Sequence, residues 1–97
     1  MSRRLETGIT IIRALSGHEF DGLRLAQIAS ACQRNAPTTL RTLQELEALG
    51  IVQRDARREE VWRLGPALVQ IAIAFQQHLL NKQRELADFE RNYTRTP

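Results

Sequence analysis

At residues 35–50 the sequence reads NAPTTLRTLQELEALG, a stretch that predicts one amphipathic helix with both ends marked. Asn35 is a favourable N-cap, and Pro37 falls in the first turn, where its missing N–H has no cost. Gly50 is a typical C-cap. The face expected to be buried carries Thr39, Leu43 and Leu46, flanked by Leu40 and Leu49.

The opposite face of this helix is polar and is centred on one arginine. At roughly 100° per residue, it carries Pro37, Thr38, Arg41, Gln44, Glu45 and Ala48. Such a face is either simply solvated or suited to contact something other than the core. The order of the surrounding elements favours contact.

Two shorter helices are predicted before this one. At residues 5–15 apolar side chains recur at helical spacing. A loop of turn-forming residues follows at 16–22, and residues 23–25 alternate like a short edge strand. Residues 26–32 place a compact apolar face on a second helix, and residues 33–35 form the turn into the central helix.

A β-hairpin and a long helix are predicted after it. Segments 51–54 and 60–64 contain β-branched and aromatic residues and flank a polar turn, and a helix follows from about 67 to 93. The predicted fold is mostly α with a small β-hairpin. It is a winged helix-turn-helix at residues 1–66, followed by a long dimerisation helix and polar tail at 67–97. In that arrangement the third helix enters the major groove of DNA, and the hairpin contacts flanking backbone or the minor groove.

The composition fits one small globular domain. The 97 residues are 42% hydrophobic and 26% charged, with a net charge of +3 and a sequence pI near 10.0. Of the 14 basic residues, all but Lys82 are arginine, the side chain that suits bidentate contact with phosphates and base edges. An arginine-biased genome is the alternative explanation.

Several classes of protein are disfavoured. Cys32 is the one cysteine, which excludes a disulfide framework and a multi-cysteine zinc site, and its small neighbours predict a core position. His18 and His78 lack neighbours at metal-ligand spacing, and no nucleophile–base pair is suggested, so we expect neither enzyme activity nor a cofactor. No apolar run is long enough for a signal peptide or a membrane span, so we expect a soluble, cytoplasmic protein without a membrane partner.

Three separated motifs are similar to a known family: GLRLAQIA at 22–29, TTLRTLQELEALGIV at 38–52 and WRLGPAL at 62–68. There the chain resembles the DNA-binding domain of the IclR-type transcriptional regulators. The resemblance implies a winged helix that binds a palindromic operator as a dimer and represses or activates nearby genes. It also implies that Thr38 and Arg41 match the family's recognition-helix threonine and arginine.

The chain departs from this family at three places. Gln33-Arg34 stands where the family has Gly-Leu, and Thr39 stands where it has a buried aliphatic residue. We expect the charge of Arg34 to open the turn and to reach a phosphate. The family's C-terminal effector-binding domain has no counterpart here, so we expect no small-molecule effector. A stand-alone module of the kind carried by phages and mobile elements is favoured over a fragment.

The predicted DNA-contacting residues are Arg34, Asn35, Pro37, Thr38, Arg41, Thr42, Gln44, Glu45, Arg57 and Arg58. For Arg57 and Arg58, at the hairpin tip, a solvated turn is the alternative to phosphate or minor-groove contact. Trp62 is interpreted as packing the hairpin onto the third helix, with a stacking platform for single strands as the alternative.

The long C-terminal helix has a second pattern. Side chains alternately four and three residues apart form a coiled-coil seam of Leu68, Ala72, Phe75, Leu79, Lys82, Leu86, Phe89 and Tyr93. In the first half, Val69, Ile73, Gln76 and Leu80 widen it. A homodimer interface is predicted at Leu68, Ala72, Phe75, Leu79, Leu86 and Phe89. Folding back onto the first helix is the alternative.

Three functions remain open at this point. We favour a sequence-specific regulator of transcription that binds double-stranded DNA as a homodimer on a palindromic operator. The alternatives are an architectural or accessory nucleoprotein factor with little base readout and a module that binds only proteins. If the affinity for DNA depends steeply on salt and is much higher for a specific site than for other DNA, the regulator is indicated. If the affinity depends steeply on salt but differs little between sequences, the architectural factor is indicated. Absence of DNA binding at low salt would leave the protein-binding module.

Overall fold

A computed structural model describes residues 3–95 as four helices and a small antiparallel sheet. In chain order the elements are α1 (Arg3–Leu15), β1 (Leu23–Arg24), α2 (Leu25–Cys32), α3 (Ala36–Ala48), β2 (Val52–Arg54), β3 (Val61–Leu64) and α4 (Pro66–Thr94). The predicted fold class is confirmed: three helices and a wing precede one long helix.

Helix α3 begins and ends where its sequence signals lie. The Asn35 side chain accepts a hydrogen bond from the Thr38 amide at 2.8 Å, which caps the first turn. At the other end Gly50 has a φ of 76°, a left-handed conformation that glycine adopts without a Cβ penalty. The Gly50 amide donates to the Glu47 carbonyl at 3.0 Å, and the Ile51 amide donates to the Leu46 carbonyl at 2.9 Å. These two bonds form a Schellman motif and direct the chain into the wing.

The sheet confirms the predicted hairpin and its short extra strand. The strand order is β1-β3-β2, so that β1 lies at one edge and β3 in the centre. Leu23 pairs with Trp62, and Val52 pairs with Leu64. Gly22 precedes β1 with a φ of 67°, and a Cβ added there would lie 2.7 Å from the Trp62 carbonyl oxygen. Glycine at this position therefore allows β1 to approach β3.

The core lies between the helices and the sheet. Its buried cluster is Ile11, Leu15, Ile28, Leu43, Val52 and Trp62. Trp62 is 2% exposed within this cluster, which confirms that it packs the wing onto the helices and excludes an open stacking platform. Cys32, predicted in the core, is only partly buried and packs against the cluster. Its partial burial raises the pKa of the thiol, and the nearby charge of Arg34 opposes that shift.

Helix α4 leaves this core after its first turn. It spans 29 residues, and none of them is buried. The alternative in which it folds back along α1 is therefore wrong for the described residues. On α1 itself, the buried positions are Thr7, Gly8, Ile11 and Leu15, whereas Leu5 and Ile9 remain exposed beside them.

Candidate nucleic-acid interface

The exposed face of α3 carries most of the side chains predicted to contact DNA. Pro37, Thr38, Arg41 and Gln44 are exposed there, and Asn35 is exposed at the N-cap. No carboxylate among residues 3–95 forms an ion pair with Arg41. The first turns of α3 thus present hydrogen-bonding groups and one uncompensated positive charge to solvent.

Thr42 does not belong to this face, and its prediction as a DNA-contacting side chain is corrected here. It is buried, and its hydroxyl donates to the Thr38 carbonyl at 3.2 Å. Thr42 lies three residues after Thr39 and next to Leu43, on the stripe of α3 that faces the protein. Thr39 is fully buried in the same stripe, and its hydroxyl donates to the Asn35 carbonyl at 2.9 Å. That bond explains how a hydroxyl is tolerated at a core position.

The turn between α2 and α3 is closed, so the expectation that Arg34 opens it is wrong. Gln33 adopts the left-handed conformation with φ 54° and ψ 42°. Its amide donates to the Ser30 carbonyl, and the Arg34 amide donates to the Ala29 carbonyl, each at 3.2 Å. This is again a Schellman motif, with a non-glycine residue where glycine is usual. The backbone geometry is therefore retained, and the charge of Arg34 is accommodated because its side chain is only partly buried.

Arg34 lines a concave surface that we call the arginine cleft. The cleft, about 440 Å³ in volume, is lined by Arg3, Arg4, Thr7, Arg34, Asn35, Thr38, Arg41, Thr42 and Glu45. It joins the start of α1 to the α2–α3 turn and to the polar face of α3. Arg3 and Arg4 were not among the site residues predicted from the sequence. Their signal was the pair of adjacent arginines one turn before Thr7, but their proximity to α3 depends on the packing of α1.

Glu45 is the residue of the α3 polar face that has a charged partner. Arg4 binds it through two hydrogen bonds, one from Nε to Oε2 at 2.8 Å and one from Nη2 to Oε1. The two side chains are 70% and 37% exposed, so the pair is accessible to solvent. In this structure, Glu45 faces α1 through that pair.

The wing tip is organised around Asp55. This residue is buried, and its carboxylate accepts hydrogen bonds from the amides of Arg57 and Arg58, at 2.8 and 3.1 Å. The Arg63 guanidinium contacts its second oxygen. The two amides and the neighbouring arginines lower the pKa of Asp55, and its partial desolvation opposes that shift.

Arg57 and Arg58 differ in their surroundings, although both are exposed at the wing tip. The Arg58 guanidinium lies 3.5 Å from Asp55 Oδ2 and 3.4 Å from the carbonyl of Asp21 in the α1–β1 loop. No side-chain hydrogen bond or ion pair of Arg57 occurs in the described part of the chain. Arg58 therefore helps to tie the wing to the loop, and Arg57 projects into solvent.

The described residues contain few other candidate sites. Between residues 3 and 95, no cluster of three or more His, Cys, Asp or Glu side chains is placed to hold a metal ion. None of the helices in that range has the length and hydropathy needed to span a membrane.

A capped helix with an exposed polar face, a three-stranded wing and an arginine-lined cleft together define the DNA-binding domain of a winged helix-turn-helix transcription regulator. The chain belongs to the IclR helix-turn-helix domain family, whose model matches residues 5–56. This match confirms the resemblance to the family and covers the first two of its three motifs, at 22–29 and 38–52. A search of curated proteins gives no match.

Two solved proteins illustrate the similarity. Pseudomonas aeruginosa HmgR is 26% identical with a TM-score of 0.68, over 79% of this chain and 32% of HmgR. The DNA complex of Staphylococcus aureus MepR is 29% identical with a TM-score of 0.55, over 86% of this chain and 61% of MepR. MepR is a transcription regulator of the multidrug efflux pump MepA, and another of its structures is 30% identical with a TM-score of 0.52, over 92% of this chain and 73% of MepR. The chain therefore spans about a third of HmgR.

Proposed function

We propose that this chain binds a palindromic site in double-stranded DNA as a homodimer, reads its sequence with α3, and thereby regulates transcription. The observation that carries this proposal is the exposed N-terminal half of α3. Asn35 caps that end, and Thr38 and Arg41 face outward where a helix inserted in the major groove would meet base edges. Cationic side chains flank this face in the arginine cleft and on the wing.

Helix α3 and the wing suit different kinds of contact with DNA. Arg41 can donate two hydrogen bonds to the O6 and N7 atoms of a guanine, whereas the Thr38 hydroxyl can donate or accept. Arg57 on the wing, at a distance from α3 along the surface, is suited to a backbone phosphate or the minor groove. Base contacts would then supply specificity, and phosphate contacts would position the helix.

The homodimer is supported by the exposed apolar side chains of α4. On the predicted seam, Phe75 is 69% exposed, Leu79 45%, Leu86 68% and Phe89 60%. Large apolar side chains repeated along one helix in this way leave a contiguous patch that marks an interaction site. A second copy of α4 has a seam with the same alternating spacing of four and three residues, so the two seams can pack against each other as in a coiled coil. The helix of 29 residues extends roughly 43 Å at 1.5 Å per residue, which is long enough for such an interface.

The palindromic site follows from the homodimer. Two copies related by a two-fold axis present two α3 helices in opposite directions, so each reads one half-site of an inverted repeat. If both helices bind one face of the duplex, the half-site centres are separated by whole turns of roughly 10 base pairs.

Selection of bound duplexes from random DNA tests this proposal. We expect enrichment of an inverted repeat that is bound on the order of 10³-fold or more tightly than a scrambled duplex at the same salt concentration. Binding with steep salt dependence but without any enriched sequence would instead support the architectural factor. Absence of binding at 50 mM salt would contradict both and leave a protein-binding module.

A further inference from the structure

The arginine cleft concentrates positive charge from three parts of the chain. Arg3 and Arg4 come from the first turn of α1, Arg34 from the α2–α3 turn, and Arg41 from α3. Of the described residues that line the cleft, Glu45 is the one carboxylate. The lining therefore carries a formal excess of positive charge beside the face of α3 that is proposed to enter the major groove.

Three of these arginines lack a carboxylate partner among residues 3–95. In that range, Arg3, Arg34 and Arg41 form no ion pair. The hydroxyls in the deeper part of the lining are already occupied: Thr7 donates to the Arg3 carbonyl, and Thr42 donates within α3. The charged donors left to bind a ligand in the cleft are guanidinium N–H groups, which match the oxygens of a phosphate, and the Thr38 hydroxyl and the Asn35 amide lie beside them.

The Arg4–Glu45 ion pair lies at the solvent-accessible side of the cleft lining. Both members of the Arg4–Glu45 pair are substantially exposed. Exposed pairs contribute little to stability, since water screens the charges and ordering two long side chains costs entropy. A DNA phosphate offers Arg4 an equally good bidentate acceptor, and its binding also releases condensed counterions.

We propose that each arginine cleft binds one backbone phosphate of double-stranded DNA, and that Arg4 exchanges Glu45 for that phosphate on binding. This inference rests on the proposed function, because it places the phosphate next to the half-site read by α3. Arg3 and Arg34 hold the same phosphate from either side. The exchange leaves the Glu45 carboxylate at the edge of the groove, where it can accept from a cytosine amino group.

The salt dependence of DNA binding by the full chain tests the phosphate contact. We expect Arg4→Gln to reduce the slope of log K against log salt by about one unit per protomer and to weaken binding to all duplexes equally. Arg13→Gln is the matched control, because Arg13 is an exposed arginine near the other end of α1 and does not line the cleft. An unchanged slope for Arg4→Gln would overturn the inference while leaving DNA binding by α3 intact. If the parent chain binds no DNA, the proposed function fails, and this inference fails with it.

A double-mutant cycle with Glu45→Gln tests the exchange itself. If Arg4 moves to the phosphate, Arg4→Gln reduces affinity by a larger factor in the Glu45→Gln background than in the parent. In the parent, the loss of the Arg4–Glu45 pair offsets part of the phosphate contact, whereas in Glu45→Gln there is no such pair to lose. If Arg4 only masks the charge of Glu45, the order is reversed, and Arg4→Gln reduces affinity by the larger factor in the parent. Only in the parent does this substitution expose a carboxylate to DNA. That reversed order would overturn the exchange.

Titration of the free protein with inorganic phosphate separates the two sources of this ligand chemistry. We expect the Arg4 Nε–H resonance to respond to a duplex at micromolar concentration and to inorganic phosphate only weakly. Saturation by inorganic phosphate at micromolar concentration, with DNA binding unaffected by Arg4→Gln, would assign the cleft to a free anion and contradict the inference.

Discussion

The carboxylate of Asp55 lies 2.5 Å from Nη2 of Arg63, eight residues further along the chain and on the central strand of the sheet. Arg63 also donates to the Glu19 carbonyl of the α1–β1 loop at 3.4 Å. Asp55 thus joins the turn of the wing to the strand behind it, and Arg63 joins that strand to the loop. Through these contacts of Arg63, the wing is fixed to the α1–β1 loop without a bound ligand.

The pH dependence of stability provides a test of this role of Asp55. Its pKa is lowered in the folded state, so the ionised carboxylate stabilises the fold fully above its unfolded pKa of about 3.9. That contribution is lost as the pH falls through the lower, folded pKa. We therefore expect Asp55→Asn to be less stable than the parent at pH 7, and the difference to shrink between pH 4 and pH 2. Urea unfolding at several pH values measures it. A difference that stays constant over this range would show that the charge of Asp55 is not involved.

The two arginines at the wing tip should respond differently to substitution. Arg57→Ala removes a side chain that has no partner in the described structure, so it should lower the salt slope by about one unit per protomer without affecting stability. Arg58→Ala removes contacts to Asp55 and to the Asp21 carbonyl, so it should loosen the wing and lower the salt slope less. Salt titration and thermal unfolding of both variants give the comparison. A larger change of slope for Arg58→Ala would reverse the assignment.

Gln33 provides a test of backbone strain. Its left-handed conformation disfavours a residue with a Cβ by about 1–2 kcal/mol, and part of that is offset because glycine is more flexible in the unfolded chain. We expect Gln33→Gly to increase the free energy of unfolding by about 1 kcal/mol. Gln44→Gly, in the interior of α3, is the control and should reduce it by about the same amount. Destabilisation by both substitutions would contradict the assigned conformation of the turn.

Arg41 is expected to make the largest single contribution to sequence reading. Because it is exposed and forms no ion pair, Arg41→Ala should leave the fold intact and weaken binding to the selected site by about 1–3 kcal/mol. Binding to a scrambled duplex should weaken much less. Circular dichroism checks the fold, and titration of both duplexes measures the difference. Equal losses on the two duplexes would make Arg41 a phosphate contact and move base reading elsewhere on α3.

Local signals in the sequence were sufficient to predict the helices and strands and most residues of the exposed face of α3. Asn35, Pro37 and Gly50 mark the ends of α3 through short-range backbone chemistry, and the wing follows from alternating residues around a polar turn. The side chains that depend on packing between elements were harder to place. Thr42 is polar and yet lies on the buried stripe, and Gln33 keeps a turn that its side chain disfavours.

The arginine cleft could not be predicted for the same reason. Arg4 and Glu45 are separated by 41 positions, and only the packing of α1 against α3 brings them together. The Asp55–Arg63 contact is nearer in sequence, but it depends on the register of β2 and β3. Periodicity identifies helices and strands, whereas ion pairs between elements require their relative positions.

Disruption of the α4 seam should separate folding from dimer formation. Leu79→Asp combined with Leu86→Asp places charges on two exposed seam positions that contribute nothing to the core. We expect a monomer that keeps the winged-helix core and loses most of its affinity for the palindromic site, because the second half-site is no longer bound at high effective concentration. The control for added charge on α4 is Gln77→Asp combined with Gln83→Asp, at two exposed positions outside the seam.

Sedimentation velocity of the parent chain tests the proposed homodimer most directly. At tens of micromolar we expect a single species with twice the chain mass of 11.1 kDa, and a species of the single-chain mass for the Leu79→Asp, Leu86→Asp variant. A parent chain that sediments as a monomer at this concentration, with α4 still helical by circular dichroism, would contradict the seam as a dimer interface and the palindromic site that depends on it.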